Sequence, residues 1–223
     1  MREIIFNEGN YYHLYNRGSN VLTIFRSDDD KWRFIFLILF LQADLSFPHV
    51  SRAIDKFRES GQFGIDEFSK KEIGRSRFVE VIAFSVMPDH FHLIVRKTSR
   101  GRMGEYMKRV QNAYAKYFNA KYKKAGHVFN GPYKGLLLNN KEEMLLLSSF
   151  IHLEPCSQKI WRNKEASYPW SSLQDCLKSN RFTSLLANEE ILDQFSNEQE
   201  FKKFLDKSSS LNFKEVLGHK HVM

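Results

Sequence analysis

Residues 78–97 restrict the fold of this chain more than any other stretch. Two runs rich in β-branched and aromatic residues, FVEVIAFSVM and HFHLIVRK, are separated only by the dipeptide PD. A connection this short is typical of neighbouring antiparallel strands. Residues i and i+2 of a strand point to the same face, so His90 and His92 share one face with Ile94. Phe91 and Leu93 point to the opposite face. The sequence therefore predicts a strand pair that presents two imidazoles on one side.

The segments around this strand pair alternate between strand and helix patterns. The aromatic, alternating run YYHLYNR predicts a first strand, and GPYKGLLLNN predicts a fourth. The run SDDDKWRFIFLILFLQADL opens with a capping residue and acidic residues before its apolar part, which is typical of a helix start. Helical spacing also marks residues 101–126, which we expect to end at Gly126, and residues 141–154, which Pro155 ends.

The predicted order is strand, helix, strand, strand, helix, strand, and then a further helix. This order is that of the ferredoxin-like α+β fold (βαββαβ), an antiparallel sheet with helices on one face. The strand HFHLIVRK is then expected in the middle of the sheet. We expect this domain at residues 1–155, with a charged insertion at about 47–77 that holds one short helix. Residues 156–223 are predicted to form a C-terminal helical extension.

Composition favours a polyanionic partner, with nucleic acid first. The chain has 34 Lys and Arg against 26 Asp and Glu, a net charge of +8, and an isoelectric point near 9.4. Its two cysteines, Cys156 and Cys176, have no metal-binding spacing and give no disulfide framework, so a reducing cytoplasm is the expected location. The most apolar run, FIFLILFLQ, is too short to span a bilayer, and no membrane association is expected.

Two histidines on one strand face form half of a site for a divalent ion, which needs further ligands such as a carboxylate. Glu154 lies at the end of the last predicted helix and shares a helix face with Phe150, four residues earlier. His90, His92 and Glu154 are therefore the candidate metal ligands. Other interpretations stay open, because imidazoles also serve as polar partners on half-buried strands and a glutamate at a helix end is often only solvated.

Six segments in a fixed order resemble the single-tyrosine HUH transposases, and most closely their REP-associated branch. They span about residues 10–173 and read YYHLYNRGSN, IFRSDDDKWRFIFLI, FSVMPDHFHLIV, NAYAKYFNAKYKKAGHVFNGPYKGLLL, SSFIHLEP and YPWSS. The HFH element alone is a weak motif, whereas the whole series in order is specific. The insertion at 47–77 and the long C-terminal tail are unlike the family.

The resemblance implies a DNA-binding protein that cuts single-stranded DNA beside a small hairpin. In such proteins a tyrosine hydroxyl attacks the phosphodiester, which forms a covalent phosphotyrosine and frees a 3′-hydroxyl. A divalent metal ion, Mg²⁺ or Mn²⁺, held by the two histidines polarises the phosphate. The REP-associated branch also implies a monomer rather than a homodimer.

The sequence departs from the family at the nucleophile. The family pattern is Tyr, three residues, Asn or Gln, and then Pro; here it reads FIHLEP, so Phe150 takes the tyrosine position and Glu154 the amide position. Phenylalanine has no hydroxyl. Three interpretations stay open: a deliberate Tyr→Phe substitution, a DNA-binding descendant without cleavage, or another tyrosine as nucleophile, with Tyr114 as the fallback candidate. The expected function is therefore a transposase that nicks and rejoins DNA, or else an inactive hairpin-binding protein.

Basic residues in four parts of the chain are expected to contact DNA phosphates, largely without reading sequence. Each is also compatible with ordinary solvated charge. An RNA-binding ferredoxin-like module is a further possibility, but base stacking does not need paired imidazoles. The candidate DNA contacts are Arg17, Arg96, Lys97, Lys108, Arg109 and Lys134.

Overall fold

The computed structural model describes residues 6–45, 50–61, 66–100 and 102–218. At the centre of these residues is a four-stranded antiparallel sheet in the order β2-β3-β1-β4. This order confirms the ferredoxin-like α+β prediction and places the histidine strand, β3, inside the sheet. The strands are β1 (Tyr11–Arg17), β2 (Val79–Val86), β3 (His90–Lys97) and β4 (Lys134–Leu138).

One face of the sheet is covered by α1 (Asp28–Phe40) and α4 (Met103–Tyr122), the two helices that connect strands across it. Phe91 on β3 packs against Phe34 on α1, with ring centroids 4.6 Å apart, and Phe34 in turn contacts Tyr114 on α4. The apolar face of β3 predicted from its alternation therefore forms the floor of this aromatic core.

The ends of these two helices show how far local signals decide a boundary. α1 begins at the predicted position because Ser27 and Asp30 form a reciprocal capping box. α4 ends earlier than predicted, because Lys123 rather than Gly126 follows the helix in the left-handed conformation, at a φ of 49°. None of the described helices is both long and apolar enough to cross a membrane.

The insertion contains two helices, α2 (Val50–Ser60) and α3 (Glu67–Ser76), so the prediction of one short helix was wrong. Both helices are dominated by charged residues, and each buries only a narrow apolar stripe, which hides a helix from a search for apolar periodicity. α2 buries Phe57 against Trp32 of α1, with ring centroids 5.0 Å apart. Residues 46–49 and 62–65 of the predicted insertion lie outside the described residues.

The opposite face of the sheet is covered by α5 (Lys141–Leu153) and by the C-terminal extension. The prediction of helices on one face thus holds for the two crossover helices, while α5 lies across the sheet from them. Ile82 and Ile94 of the sheet share one apolar core with residues of α5 and of the extension. The helices of the extension are α6 (Leu173–Leu177), α7 (Glu189–Leu192), α8 (Glu198–Ser209) and α9 (Phe213–Leu217).

The YPWSS segment lies along the outer edge of β2. The Val86 N–H donates to the Trp170 carbonyl, and the Ser172 N–H donates to the Phe84 carbonyl. This pairing satisfies backbone groups that an edge strand would otherwise leave open. It also holds the segment that follows α5 beside the C-terminal end of β2. The histidine strand, β3, begins close to this end of β2.

Candidate functional site

His90 is positioned by the tight turn between β2 and β3. The Met87 N–H donates to the His90 carbonyl at 2.9 Å, which pairs the two residues that flank Pro88 and Asp89 in the tight connection. The Gly18 N–H then donates to the Asp89 carbonyl at 2.7 Å. Gly18 must be glycine, because a Cβ there would lie 2.0 Å from the Leu22 carbonyl oxygen. The turn that presents His90 is therefore held from both sides.

The structure brings together the three side chains that the sequence singled out as candidate metal ligands. His90 and His92 share one face of β3, and Glu154 approaches them from the end of α5. The Nε2 atoms of His90 and His92 lie 2.8 Å and 3.6 Å from the same Oε1 atom of Glu154. One potential ligand atom from each of the three residues lies within 4.8 Å of the other two.

Each imidazole contacts a second group through its other ring nitrogen. His90 Nδ1 lies 2.7 Å from Asp89 Oδ1, and His92 Nδ1 lies 2.7 Å from His13 Nε2 on β1. When both Nδ1 atoms carry the proton, the two Nε2 lone pairs are on the side of Glu154 Oε1, and a cation is needed to offset the repulsion between these lone pairs and the carboxylate oxygen. Metal-binding histidines usually have this arrangement, in which an outer partner fixes the tautomer.

Two atoms at the centre of the cluster support a metal-binding role. His92 Nε2 and Glu154 Oε2 are buried, and neither has a hydrogen-bond partner among the described residues. Buried polar atoms are nearly always paired, because an unpaired one costs about 1–3 kcal/mol. Two imidazole nitrogens and a carboxylate suit a divalent ion with mixed nitrogen and oxygen ligands. The residues present therefore fit a metal ion.

The electrostatics of the cluster favour positive charge beside Glu154. Burial opposes the charged form of His90, but hydrogen bonds and charges from Asp89 and Glu154 outweigh it and raise the pKa of His90 to about 9. Burial also acts to raise the pKa of Glu154, but the charge of His92 and the hydrogen bond of His90 lower it to about 2. Either a proton on His90 or a metal ion bound by His90, His92 and Glu154 would balance the negative charge of Glu154.

The ring of Phe150 lies against this cluster, on the same side of α5 as Glu154. Its centroid is 5.5 Å from that of His92, in an edge-to-face arrangement at 83°. On the far side, Phe213 of α9 lies 5.4 Å away. Phe150 is 8% exposed, and it lines a cavity together with His90 and Glu154. Position 150 is therefore next to the candidate metal ligands, as the helix spacing predicted.

Residues 67–152 match the family model described as Transposase IS200 like. Over this segment the chain is similar to the IS200-like transposases. The match includes His90, His92 and Phe150 and confirms the family resemblance found in the sequence motifs. It ends two residues before Glu154.

The fold also resembles that of a solved transposase. A structure described as a REP-associated tyrosine transposase bound to a REP hairpin aligns with a TM-score of 0.52 and 11% sequence identity. The alignment covers 81% of this chain and 87% of that protein. At 11% sequence identity, this similarity to the solved structure establishes the fold alone. Among curated proteins, none matches the sequence.

The structure contradicts Tyr114 as a substitute nucleophile for this transposase-like site. Tyr114 lies on α4, on the opposite face of the sheet from the histidines, and it is fully buried. Its hydroxyl donates to the Ile24 carbonyl at 2.6 Å, and burial raises the pKa of Tyr114 far above its ordinary value. The helical spacing that drew attention to Tyr114 reflects core packing.

A different tyrosine lies on the histidine face. Tyr15 on β1 is directly paired with His92, and the two rings stack with centroids 5.8 Å apart. Burial raises the pKa of Tyr15. Tyr15 was not predicted from the sequence, because cross-strand register places it beside His92 and local patterns do not reveal that register.

Two of the predicted DNA contacts flank the metal cluster. Arg17 is paired with His90 across the sheet, is 39% exposed at its side chain, and lies 3.6 Å from Asp89. Lys134 is exposed on β4, with its Nζ 5.7 Å from the centre of the Tyr15 ring. Both cations are on the face that carries the imidazoles.

The other four predicted DNA contacts are neutralised or lie elsewhere. Arg96 forms ion pairs with Glu80 and Glu190. Arg109 donates to the Ala43 and Leu45 carbonyls at 2.8 and 2.9 Å, which fixes the end of α1. Lys97 lies at the far end of β3, ~23 Å from His90, and Lys108 is exposed on α4 across the sheet. These contacts argue against a role for the four residues at the metal site.

A basic segment at 159–164, not predicted from the sequence, also lies near the candidate metal ligands. Lys159, Arg162 and Lys164 are exposed, and Ile160 between them is 72% exposed. Trp161 anchors the segment by packing edge-on against Tyr168, at 5.1 Å between ring centroids. The segment begins five residues after Glu154, and its Asn163 lines the same cavity as His90. The sequence signal was the run KIWRNK, which lies outside the periodic elements.

Proposed function

We propose that this chain binds hairpin-forming, single-stranded DNA at a divalent-metal site and that, with phenylalanine at position 150, it does not form a phosphotyrosine. The main support is the convergence of two imidazole nitrogens on Glu154, with a buried atom of His92 and one of Glu154 lacking partners. The similar solved structure is described as bound to a REP hairpin, which supports hairpin DNA as the ligand class.

Mg²⁺ or Mn²⁺ would be held by His90, His92 and Glu154. When bound, such an ion polarises a phosphodiester and stabilises charge that develops on its oxygens. The chain's own contribution is orientation: Asp89 fixes the His90 ring and His13 fixes the His92 ring, each through an Nδ1 contact of 2.7 Å.

The DNA backbone would meet positive charge on both sides of the metal cluster. Arg17 and Lys134 lie on the sheet face itself, and Lys159, Arg162 and Lys164 extend the positive surface beyond Glu154. Contacts of this type bind phosphates without reading bases. They also release counterions, so binding should weaken steeply as salt is added.

Position 150 decides the chemistry. The ring of Phe150 lies beside His92, but it has no oxygen that could attack phosphorus. A transposase that still nicks is the second candidate function, and the position of Tyr15 on the histidine face favours it. In that case the Tyr15 hydroxyl would form the bond to phosphorus and the deoxyribose 3′-oxygen would leave.

DNA binding is tested with a labelled hairpin that carries single-stranded flanks. Raising salt from 50 to 200 mM should weaken binding by roughly a hundredfold for about five phosphate contacts. Lys159→Ala and Lys134→Ala should each weaken binding, whereas Lys108→Ala on the opposite face is the matched control and should not. Equal effects of Lys159→Ala and Lys108→Ala would contradict the proposed surface.

The chemistry is tested by looking for a protein-linked DNA band on a denaturing gel in Mn²⁺. We expect no band from the chain with Phe150, and a band from Phe150→Tyr that His90→Ala removes. A band from the unsubstituted chain that Tyr15→Phe removes would establish the second candidate function. Absence of a band from Phe150→Tyr, with hairpin binding intact, would show that the site binds DNA without cleaving it.

A further inference from the structure

A cavity of about 770 Å³ opens beside the metal cluster, and nothing in the proposed function uses it. Its walls come from α5, α6, α8 and α9 and from the segment that follows Glu154. His90 and Glu154 form one side, so the cavity is continuous with the candidate metal site. Its volume lies within the range of sites that enclose small organic groups.

The walls of the cavity are suited to a flat apolar ring. Phe150 and Phe213 lie side by side, with ring centroids 5.4 Å apart and planes at 60°. Leu173 and Leu205 continue this apolar lining towards the sheet. Aromatic and aliphatic walls of this kind hold nucleobases by stacking in single-stranded nucleic-acid sites.

Away from His90, the polar groups of the cavity disfavour a phosphate. Carboxylates of Glu154, Glu165 and Asp206 line it, and the one lysine among its lining residues, Lys202, lies 2.5 Å from Glu198. An anion placed inside would be repelled. A neutral group with N–H donors would instead find carboxylate acceptors.

We propose that the cavity binds one nucleobase of the DNA strand, from a nucleotide next to the phosphate held at His90. The inference rests on the proposed function and adds a base site to it. The phosphate would stay outside at the metal and the basic surface, while its neighbouring base is turned out of the strand into the cavity, as in enzymes that extrude a base. Asp206 and Glu165 favour a base with an exocyclic amino group over thymine.

The experiment uses the full chain and a hairpin oligonucleotide whose flanking nucleotides are replaced, one at a time, by abasic sites. Binding constants are measured in Mn²⁺. We expect one flanking position at which loss of the base weakens binding by about tenfold, consistent with stacking of a single base. At that position, adenine or cytosine should bind more tightly than thymine, and Asp206→Asn should reduce the difference.

Two matched variants locate the base. Ser209 lines the cavity and Ser210 does not, although both are exposed and both donate a hydroxyl hydrogen bond to a carbonyl three residues earlier. Ser209→Trp fills the cavity mouth and should abolish the difference between intact and abasic DNA. Ser210→Trp should keep it.

The outcomes separate the inference from the function on which it rests. Hairpin binding that is intact but indifferent to every abasic substitution would overturn the base site alone. An abasic effect that persists in Ser209→Trp would also overturn it, because the base would then lie elsewhere. Failure to bind the intact hairpin at all would overturn both proposals.

Discussion

Two carboxylates, Asp30 and Glu154, lie within the protein on opposite faces of the sheet, and their surroundings differ. Asp30, at the start of α1, is fully buried and accepts hydrogen bonds from five donors. Glu154, at the end of α5, has one oxygen near two imidazoles and one buried oxygen with no partner in the described part of the chain. Both oxygens of Asp30 therefore accept hydrogen bonds, whereas one oxygen of Glu154 accepts none from the described residues.

The surroundings of Asp30 are those of a structural anchor. Lys121 donates to Oδ1 at 2.7 Å and Tyr122 donates to Oδ2 at 2.6 Å, which ties α4 to the first turn of α1. Burial acts to raise the pKa of Asp30, but the hydrogen bonds from Lys121, Tyr122 and Tyr117 together lower it. Every lone pair is used, so no place remains for a ligand.

The surroundings of Glu154 fit the proposed metal site. Its neighbours His90 and His92 are themselves oriented by further groups. His90 Nε2 lies 2.8 Å from Glu154 Oε1, while His92 Nε2 and Glu154 Oε2 have no hydrogen-bond partner among the described residues. The comparison teaches that burial and a shifted pKa do not by themselves mark function. Unsatisfied atoms within a cluster of potential ligands distinguish the candidate metal site from the anchor.

The largest expected effect tests the structural role of Asp30. Asp30→Asn should lower the free energy of unfolding by about 3 kcal/mol, because an amide nitrogen would face donors and Lys121 would lose its counter-ion. Urea unfolding measures this. Asp29→Asn is the control, since Asp29 is exposed and pairs with Arg58 at the surface, and it should cost less than about 1 kcal/mol. Equal losses of unfolding free energy in the two variants would show that Asp30 is not a structural anchor.

The next effect concerns the unsaturated site. Mn²⁺ at a hundred times its dissociation constant should raise the free energy of unfolding by about 2.7 kcal/mol. Glu154→Gln should remove most of this gain, whereas Asp30→Asn, although destabilised, should retain it. Thermal unfolding with and without Mn²⁺ is the measurement. A gain that survives in Glu154→Gln would show that the ion binds elsewhere.

A smaller effect is expected from the outer partner of His92. His13→Ala should weaken Mn²⁺ binding by about 10–100-fold, because the His92 ring loses the group that orients it. His13→Gln keeps an acceptor near the same position and should restore part of the affinity. Titration calorimetry gives the constants. If His13→Ala binds Mn²⁺ as tightly as the unsubstituted chain, the 2.7 Å contact has no orienting role.

The smallest effect is the response of the anchor to acid. The pKa of Asp30 is lower in the folded protein than its ordinary value of 3.8, so its contribution is complete above that value and is lost as pH falls through the folded pKa. Between pH 5 and pH 2, the free energy of unfolding should therefore fall more steeply in the unsubstituted chain than in Asp30→Asn. Parallel curves would mean that Asp30 titrates normally.

Local periodicity predicted the parts of the site that belong to one element. The shared face of His90 and His92 follows from strand alternation, and that of Phe150 and Glu154 follows from helix spacing. His13 could not be found in this way, because it reaches His92 only through the pairing of β1 with β3.

The tertiary contacts of the charged residues were the least predictable feature of the structure. Arg17 and Arg109 look alike in the sequence, but Arg17 lies on the histidine face while Arg109 binds the carbonyls after α1. Which acidic or carbonyl group meets an arginine depends on tertiary packing, and a single sequence does not reveal it. The fold order was easier to predict, since each strand and connecting helix has its own pattern.

The common core of the sheet and the C-terminal extension makes the protein poorly divisible. Ile82 and Ile94 are buried beneath residues such as Phe201 and Leu205, so a fragment that ends at residue 155 would expose an apolar sheet face and tend to aggregate. The family match ends at residue 152, whereas the apolar core on this face of the sheet extends to Leu217 of α9. We therefore expect a stably folded fragment to need residues well beyond the family match.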